Sequence, residues 1–174
     1  MSEDIRMARP EDAAELAELS RQLGYPSTAE ETASRLERLL GVEDHLVLVV
    51  VGPGEKVLGW IHAFAAHRLE SESFAEIGGL VVHEGFRSQG IGARLVAAVE
   101  GWARERGIAT LRVRSRTTRP RAHAFYEGLG FAATKDQRVL DKPLEPPLGG
   151  GRSHSKRRRA QLSFVLPRKK GMGS

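Results

Sequence analysis

The chain has 174 residues, 28% of them charged and 40% hydrophobic, with a formal net charge of +5 and an isoelectric point near 10.0. That length suits one ordinary globular domain, and the composition excludes a collagen-like or wholly disordered chain. The absence of cysteine excludes disulfides, thiolate metal sites and cysteine nucleophiles, and no apolar stretch nears the ~18–20 residues that span a bilayer. The start, Met1 to Arg6, has neither the basic opening nor the apolar run of a signal peptide, so a cytoplasmic protein without membrane attachment is expected.

A high isoelectric point suggests a nucleic-acid partner, but the charge is unevenly placed. Residues 145–174 hold eight Lys or Arg and one acid, a net of +7, which leaves residues 1–144 at −2. The chain therefore divides into a folded domain over 1–144 and a basic tail over 145–174. The tail opens on a Pro/Gly linker and contains Lys156-Arg157-Arg158-Arg159 and Arg168-Lys169-Lys170. Its composition predicts disorder. It reads either as an arm for nucleic acid or another polyanion, or as a solvated appendage.

In chain order, Ile5 to Arg9 reads as a short strand stopped by Pro10. A helix follows, with Leu16, Leu19 and Leu23 on one face and Gly24-Tyr25-Pro26 at its end. Ser27-Thr28-Ala29-Glu30 reads as the capping box of a second helix, striped by Ala29, Ala33, Leu36 and Leu40. His45–Val51 and about Val57–Arg68 form strands around the turn Gly52-Pro53-Gly54-Glu55, an antiparallel hairpin. Ser73–His83 is a further strand, Gly90–Arg106 the clearest helix, with Ile91, Leu95, Val99 and Trp102 on one face, and Thr110–Arg114 a strand. Pro120–Leu129 is a helix, and Phe131–Lys135 and Arg138–Lys142 read as closing strands. The order β-α-α-β-β-β-α-β-α-β-β predicts an α/β fold, a mixed sheet with helices on both faces and no internal repeat.

The strand ending Leu80-Val81-Val82 runs through a tight turn into Arg87-Ser88-Gln89-Gly90-Ile91-Gly92 and then the long helix. The first four amide groups of a helix lack intrahelical partners and point together at the positive end of its dipole. Gly90 and Gly92 remove side chains that would block an anion, and Arg87 adds a charged donor fork. This is the pattern of a pyrophosphate site. It is neither a P-loop nor a dinucleotide fingerprint, because no G-x-x-x-x-G-K-[ST] exists and Leu95 stands three residues after Gly92.

Arg87-x-x-Gly90-x-Gly92 after Leu80-x-Val82 resembles motif A of the GCN5-related N-acetyltransferase (GNAT) superfamily, of small bacterial type. Ala122-His123-Ala124-Phe125-Tyr126-Glu127-Gly128-Leu129-Gly130-Phe131 is similar to its motif B, and the closing Lys135–Leu144 to its last hairpin. The resemblance covers about residues 4–144 and implies a GNAT-like fold with a splayed central sheet and acetyl-CoA as cosubstrate. It places the pantetheine arm along the backbone of Leu80, Val81 and Val82, and the phosphates on residues Arg87 to Gly92. It also implies a bulge that turns a backbone N–H toward the thioester oxygen, for which Gly78-Gly79 is the candidate. Close packing against a helix is the other reading of that glycine pair.

Acetyl transfer to an amine requires removal of an amine proton and a donor for the departing thiolate. Glu76, a carboxylate in an otherwise apolar strand, matches the position where similar enzymes carry the general base, often acting through a water. Its other reading is an exposed strand-end glutamate. Tyr126 matches the tyrosine that protonates the coenzyme A sulfur, or is a core aromatic. The family's asparagine before motif B has no counterpart, since the chain contains no asparagine; Ser115 to Arg121 is basic instead. Arg116 or Arg119 then meets the adenosine phosphates or is solvated, and His123 contacts phosphate or packs. His45, His62, His67 and His83 form no metal-ligand spacing, so no metal is expected.

The resemblance thus implies direct transfer from acetyl-CoA to a primary amine on a small molecule or a protein. The acceptor is expected between Gly24-Tyr25-Pro26, the second helix and the final hairpin. The alternative is a module that binds and senses coenzyme A without catalysis, its tail engaging a polyanion. Similar enzymes are commonly dimers, which leaves a homodimer open.

Overall fold

The computed structural model describes residues 3–116 and 118–144. Five strands form one sheet in the order β1 (Asp4–Met7), β2 (His45–Val51), β3 (Val57–Ala66), β4 (Phe74–Val82) and β5 (Leu111–Val113). Neighbours are antiparallel except the last pair, which is parallel. Among the described residues four α-helices accompany them: α1 (Ala13–Gln22), α2 (Ala29–Leu39), α3 (Ile91–Glu105) and α4 (Pro120–Gly128).

The two faces of the sheet are covered by different helices. β2 has apolar side chains on both faces, as its unbroken run predicts for a central strand, and Val49 and Val50 are fully buried. One face carries Leu48, Ile61, Ala63 and Ile77 beneath Ile91, Leu95, Val99 and Trp102 of α3, the stripe read from the sequence. The other face carries Val47, Val49 and Val81 beneath Leu16 and Leu19 of α1 and Leu36 of α2. Burying each such side chain contributes about 1.5–3 kcal/mol.

Local chemistry sets the helix starts. The capping box of α2 sits one residue later than the sequence reading: Thr28 accepts from the Glu31 amide and Glu31 from the Thr28 amide, both at 3.1 Å. A short 3₁₀ turn over Pro10–Asp12 leads into α1. Its buried Asp12 takes two bonds from Arg6, at 2.8 and 2.9 Å, and one from the Arg9 amide at 2.7 Å. Burial works against the ionised form of Asp12, but these donors outweigh it and hold the carboxyl below its ordinary range.

The two closing strands expected over 131–135 and 138–142 do not form; residues 131–144 carry neither helix nor strand. In Arg138–Lys142 the two apolar residues are adjacent, so an extended chain would point them to opposite sides, leaving no apolar face to bury. Val139 and Leu140 are accordingly exposed. Two compact units divide between Thr134 and Lys135. The basic stretch 145–174, with the disorder and polyanion readings attached to it, lies outside the described residues.

Candidate active site

Two irregularities of the sheet create the site. First, β5 pairs with β4 only over Ala75–Ile77, so Gly78 to Val82 have no strand beside them on that edge. That free backbone edge is the geometry a ligand uses to add itself as a strand. Second, the β3–β4 register moves from His62 opposite Gly79 to Ala63 opposite Ile77, leaving Gly78 as a one-residue bulge. The expected distortion therefore lies at Gly78. Its neighbour Gly79 serves close approach, though to a side chain of β3 and not to a helix. A Cβ at Gly79 would stand 2.8 Å from Cη2 of Trp60.

Beyond Val82 a 3₁₀ turn (Glu84–Phe86) leads to the loop before α3. Ser88 and Gly90 both take positive φ, 62° and 81°, and Gly90 caps α3 without any side-chain bond to the helix. Alternation of left-handed residues in such a loop gathers backbone N–H groups into an anion-binding concavity. The first amides of α3 thus face outward without a side-chain cap. Arg87 is held at the entrance by a 3.2 Å bond from its Nε to the Val82 carbonyl. Buried Ile91 fixes the helix start to the core, and Gly92 leaves room for Phe125, whose Cζ would lie 3.1 Å from a Cβ there. Leu80 and Val82 pack toward α3, and Val81 packs toward α1 and α2.

A cleft of about 570 Å³ opens on the other side of the splay. Leu23, Tyr25, Ser27 and Thr32 of the α1–α2 region wall it on one side, and Gly78, Gly79 and Leu80 on another. Arg114, Arg116, Arg119 and Tyr126 close it. Two of the three parts expected around an acceptor are therefore present, and the third, the hairpin, is not formed. Tyr126 packs edge-on between Phe125 and Phe131, with ring centroids 5.0 and 5.3 Å away. Burial pushes its hydroxyl up to about 12, so it keeps its proton through the neutral range. Tyr126 therefore packs against the core and also lines the cleft.

Glu76 is 9% exposed, which removes the exposed strand-end reading. Its Oε1 lies 3.0 Å from Nε of Arg114, so the carboxylate has a counter-charge on the cleft wall. His123 is engaged within the chain: its Nε2 meets the Arg116 carbonyl at 3.0 Å and braces the loop between β5 and α4. Among the described residues no cluster of three or more His, Asp or Glu is suited to a metal ion. No helix there is long and apolar enough to cross a membrane.

Sequence reasoning missed His62. It lines the cleft beside the bulge, and its Nδ1 would stand 3.0 Å from a Cβ at Gly78. Its Nε2 is 3.0 Å from Nδ1 of His45, with the rings stacked at 5.3 Å. Burial, with the His45 ring adding to it, brings the His62 imidazole down to about 4. It is therefore neutral at pH 7 and has a lone pair available. The signal was present in the pattern, since His45 and His62 fall near each other once the hairpin register is set.

Comparison with known proteins gives the following. The model of the acetyltransferase (GNAT) family matches residues 12–131. An aminoglycoside N(6')-acetyltransferase type 1 of Stenotrophomonas maltophilia is 30% identical over 146 residues, covering 82% of this chain and 94% of that protein. Among solved structures, a transcriptional regulator from Bacillus halodurans C-125 superposes with a TM-score of 0.72 at 24% identity, covering 80% of this chain and 99% of its own. An aminoglycoside 6'-N-acetyltransferase from Acinetobacter baumannii gives 0.72 at 19% identity, covering 83% and 100%. At these identities the structural likenesses speak for the fold.

Proposed function

Because the chain belongs to the GNAT family of acetyltransferases, whose members use acetyl-CoA as cosubstrate, we propose that it transfers the acetyl group directly to a primary amine held in the cleft. The observation that carries this reading is the meeting of three features along β4. These are a free backbone edge, a bulge at Gly78, and the protonated Tyr126 hydroxyl in the same cleft. The uncapped start of α3 with Ser88, Gln89, Gly90, Ile91 and Gly92, and the Arg87 side chain, fits the pyrophosphate of acetyl-CoA. When bound there, the cosubstrate supplies an acyl group activated as a thioester.

In this reading the backbone of Leu80, Val81 and Val82 holds the pantetheine arm. The bulge supplies a main-chain donor for the carbonyl oxygen as negative charge develops on it. The amine lone pair forms the new C–N bond while the C–S bond breaks. Tyr126 gives its proton to the departing sulfur. The proton lost by the amine passes through cleft water to Glu76, whose charge Arg114 secures. Neutral His62 accepts a hydrogen bond from the incoming amine and orients its lone pair toward the thioester carbon.

The test is thiol release from acetyl-CoA across a panel of primary amines, with acetylated product confirmed by mass. Glu76→Gln is expected to lower kcat by about 10²–10⁴-fold, the usual worth of a positioned acid or base. Unchanged turnover in that variant would remove Glu76 from the mechanism. Acetyl-CoA binding without any amine-dependent thiol release would favour the sensing module.

A further inference from the structure

The cleft wall is positively charged. Among the described residues four arginines line it: Arg35 from α2, Arg114 just past β5, and Arg116 and Arg119 before α4. None of the acidic residues that give residues 1–144 their net of −2 lines it among the described residues. Two acids pair with these arginines. Glu76 is buried and bonded to Arg114, and Glu31, exposed on α2, lies 4.0 Å from Arg35. Among the described residues Arg116 and Arg119 have no carboxylate partner. Arg119 instead lies over the Tyr25 ring, 5.9 Å from its centroid, at the acceptor side of the cleft. The cradle over residues 87–92 contributes nothing to the cleft lining, so this charge is spatially separate from the proposed pyrophosphate site.

An acceptor amine is cationic in water until it reacts, so a bare polyamine meets like charge on entering. A cleft of one sign with low-dielectric walls concentrates the opposite sign. Guanidinium groups also match the planar oxygens of phosphate and carboxylate with paired donors. We propose that the acceptor is an amine that carries its own phosphate or carboxylate group, held by Arg119 with Arg116, and that polycations such as aminoglycosides are rejected. The proposal rests on the acetyl-transfer reading above and departs from the substrate named for the Stenotrophomonas relative.

Matched amines decide it, using the full chain saturated with acetyl-CoA. Because the chain has no cysteine, a thiol reagent reads only released coenzyme A. Glucosamine 6-phosphate is compared with glucosamine, 4-aminobutyrate with butylamine, and kanamycin serves as the polycation; the first two pairs separate phosphate from carboxylate. At least one phosphate- or carboxylate-bearing amine is expected to exceed its twin without that group about tenfold or more in kcat/KM, the worth of one charge-assisted bond, with the difference in KM. Arg119→Glu removes that preference and Arg119→Lys keeps part of it. A higher kcat/KM for kanamycin than for either anionic amine, or a preference unchanged in Arg119→Glu, overturns the proposal. Thermal shift of the coenzyme A-saturated protein is the second readout: stabilisation by an anionic amine and none by kanamycin supports it, and any other pattern overturns it. Acetyl-CoA binding without thiol release from any amine overturns the transfer reading instead, and the thermal shift still decides the class of ligand.

Discussion

The two faces of the sheet were built under opposite demands. Toward α3 the packing is close: Leu95 and Val99 are wholly buried, and the backbone cradle lies at the helix start. Toward α1 and α2, the apolar cover stops short of the bulge, and the surface continues as arginines, His62 and an aromatic hydroxyl around a cleft. On the proposed reading, the backbone cradle on the first face holds coenzyme A, and side chains on the second face choose the acceptor.

Substitutions on the α3 face should therefore change stability and leave specificity alone. The largest expected effect is Leu95→Ala, which removes a fully buried side chain and should cost about 2–5 kcal/mol in chemical denaturation. Retention of wild-type stability would mean that this face is looser than its packing implies. Gly79→Ala belongs to the cleft face, where an added Cβ would press on the Trp60 ring at 2.8 Å. It should cost about 1–3 kcal/mol by overpacking and raise KM for the amine, as measured by denaturation and steady-state kinetics.

Gly90→Ala touches only the cradle. It forces a residue with a Cβ to a φ of 81° in open space, a cost of about 1 kcal/mol, and should raise KM for acetyl-CoA while the order of preference among amines stays the same. A changed order of preference would join the two faces that are separated here. The smallest effect concerns pH. His62 is near 4 in the fold against 6.5 ordinarily, so the unfolded chain takes up a proton first as pH falls. Its contribution is complete above pH 6.5 and declines from there toward 4, which a series of Tm measurements will show. His62→Gln should flatten that limb; the loss tied to Asp12, whose carboxyl is held low, comes at still lower pH.

The same division explains what could be read from the chain. The cradle was legible because strand, turn, Arg87, Gly90 and Gly92 are contiguous and their chemistry is local. The α3 stripe was legible because one helical period of apolar residues has one burial solution. The closing strands were misread because short apolar segments were taken as strands although Val139 and Leu140 sit side by side and give no one-sided apolar face. The α2 cap slipped by one residue because Ser27 and Thr28 both suit the position and only the Glu31 geometry separates them.

The cleft was the least legible part. Its arginines come from α2 and from the loop after β5, far apart in sequence, and only the fold brings them together. One local signal existed: in Leu111-Arg112-Val113-Arg114-Ser115-Arg116 the apolar residues enter the core, so the arginines fall on the opposite face. His62 was passed over because a lone histidine in a strand resembles any half-buried polar residue until its partner His45 is known.

The most direct test of the central claim is the kcat of Tyr126→Phe, measured by thiol release with acetyl-CoA binding followed in parallel. The hydroxyl that burial keeps protonated is assigned to the departing sulfur, so kcat should fall by about 10²-fold or more while acetyl-CoA affinity is retained. An unchanged kcat would contradict that assignment and leave Tyr126 as packing between Phe125 and Phe131.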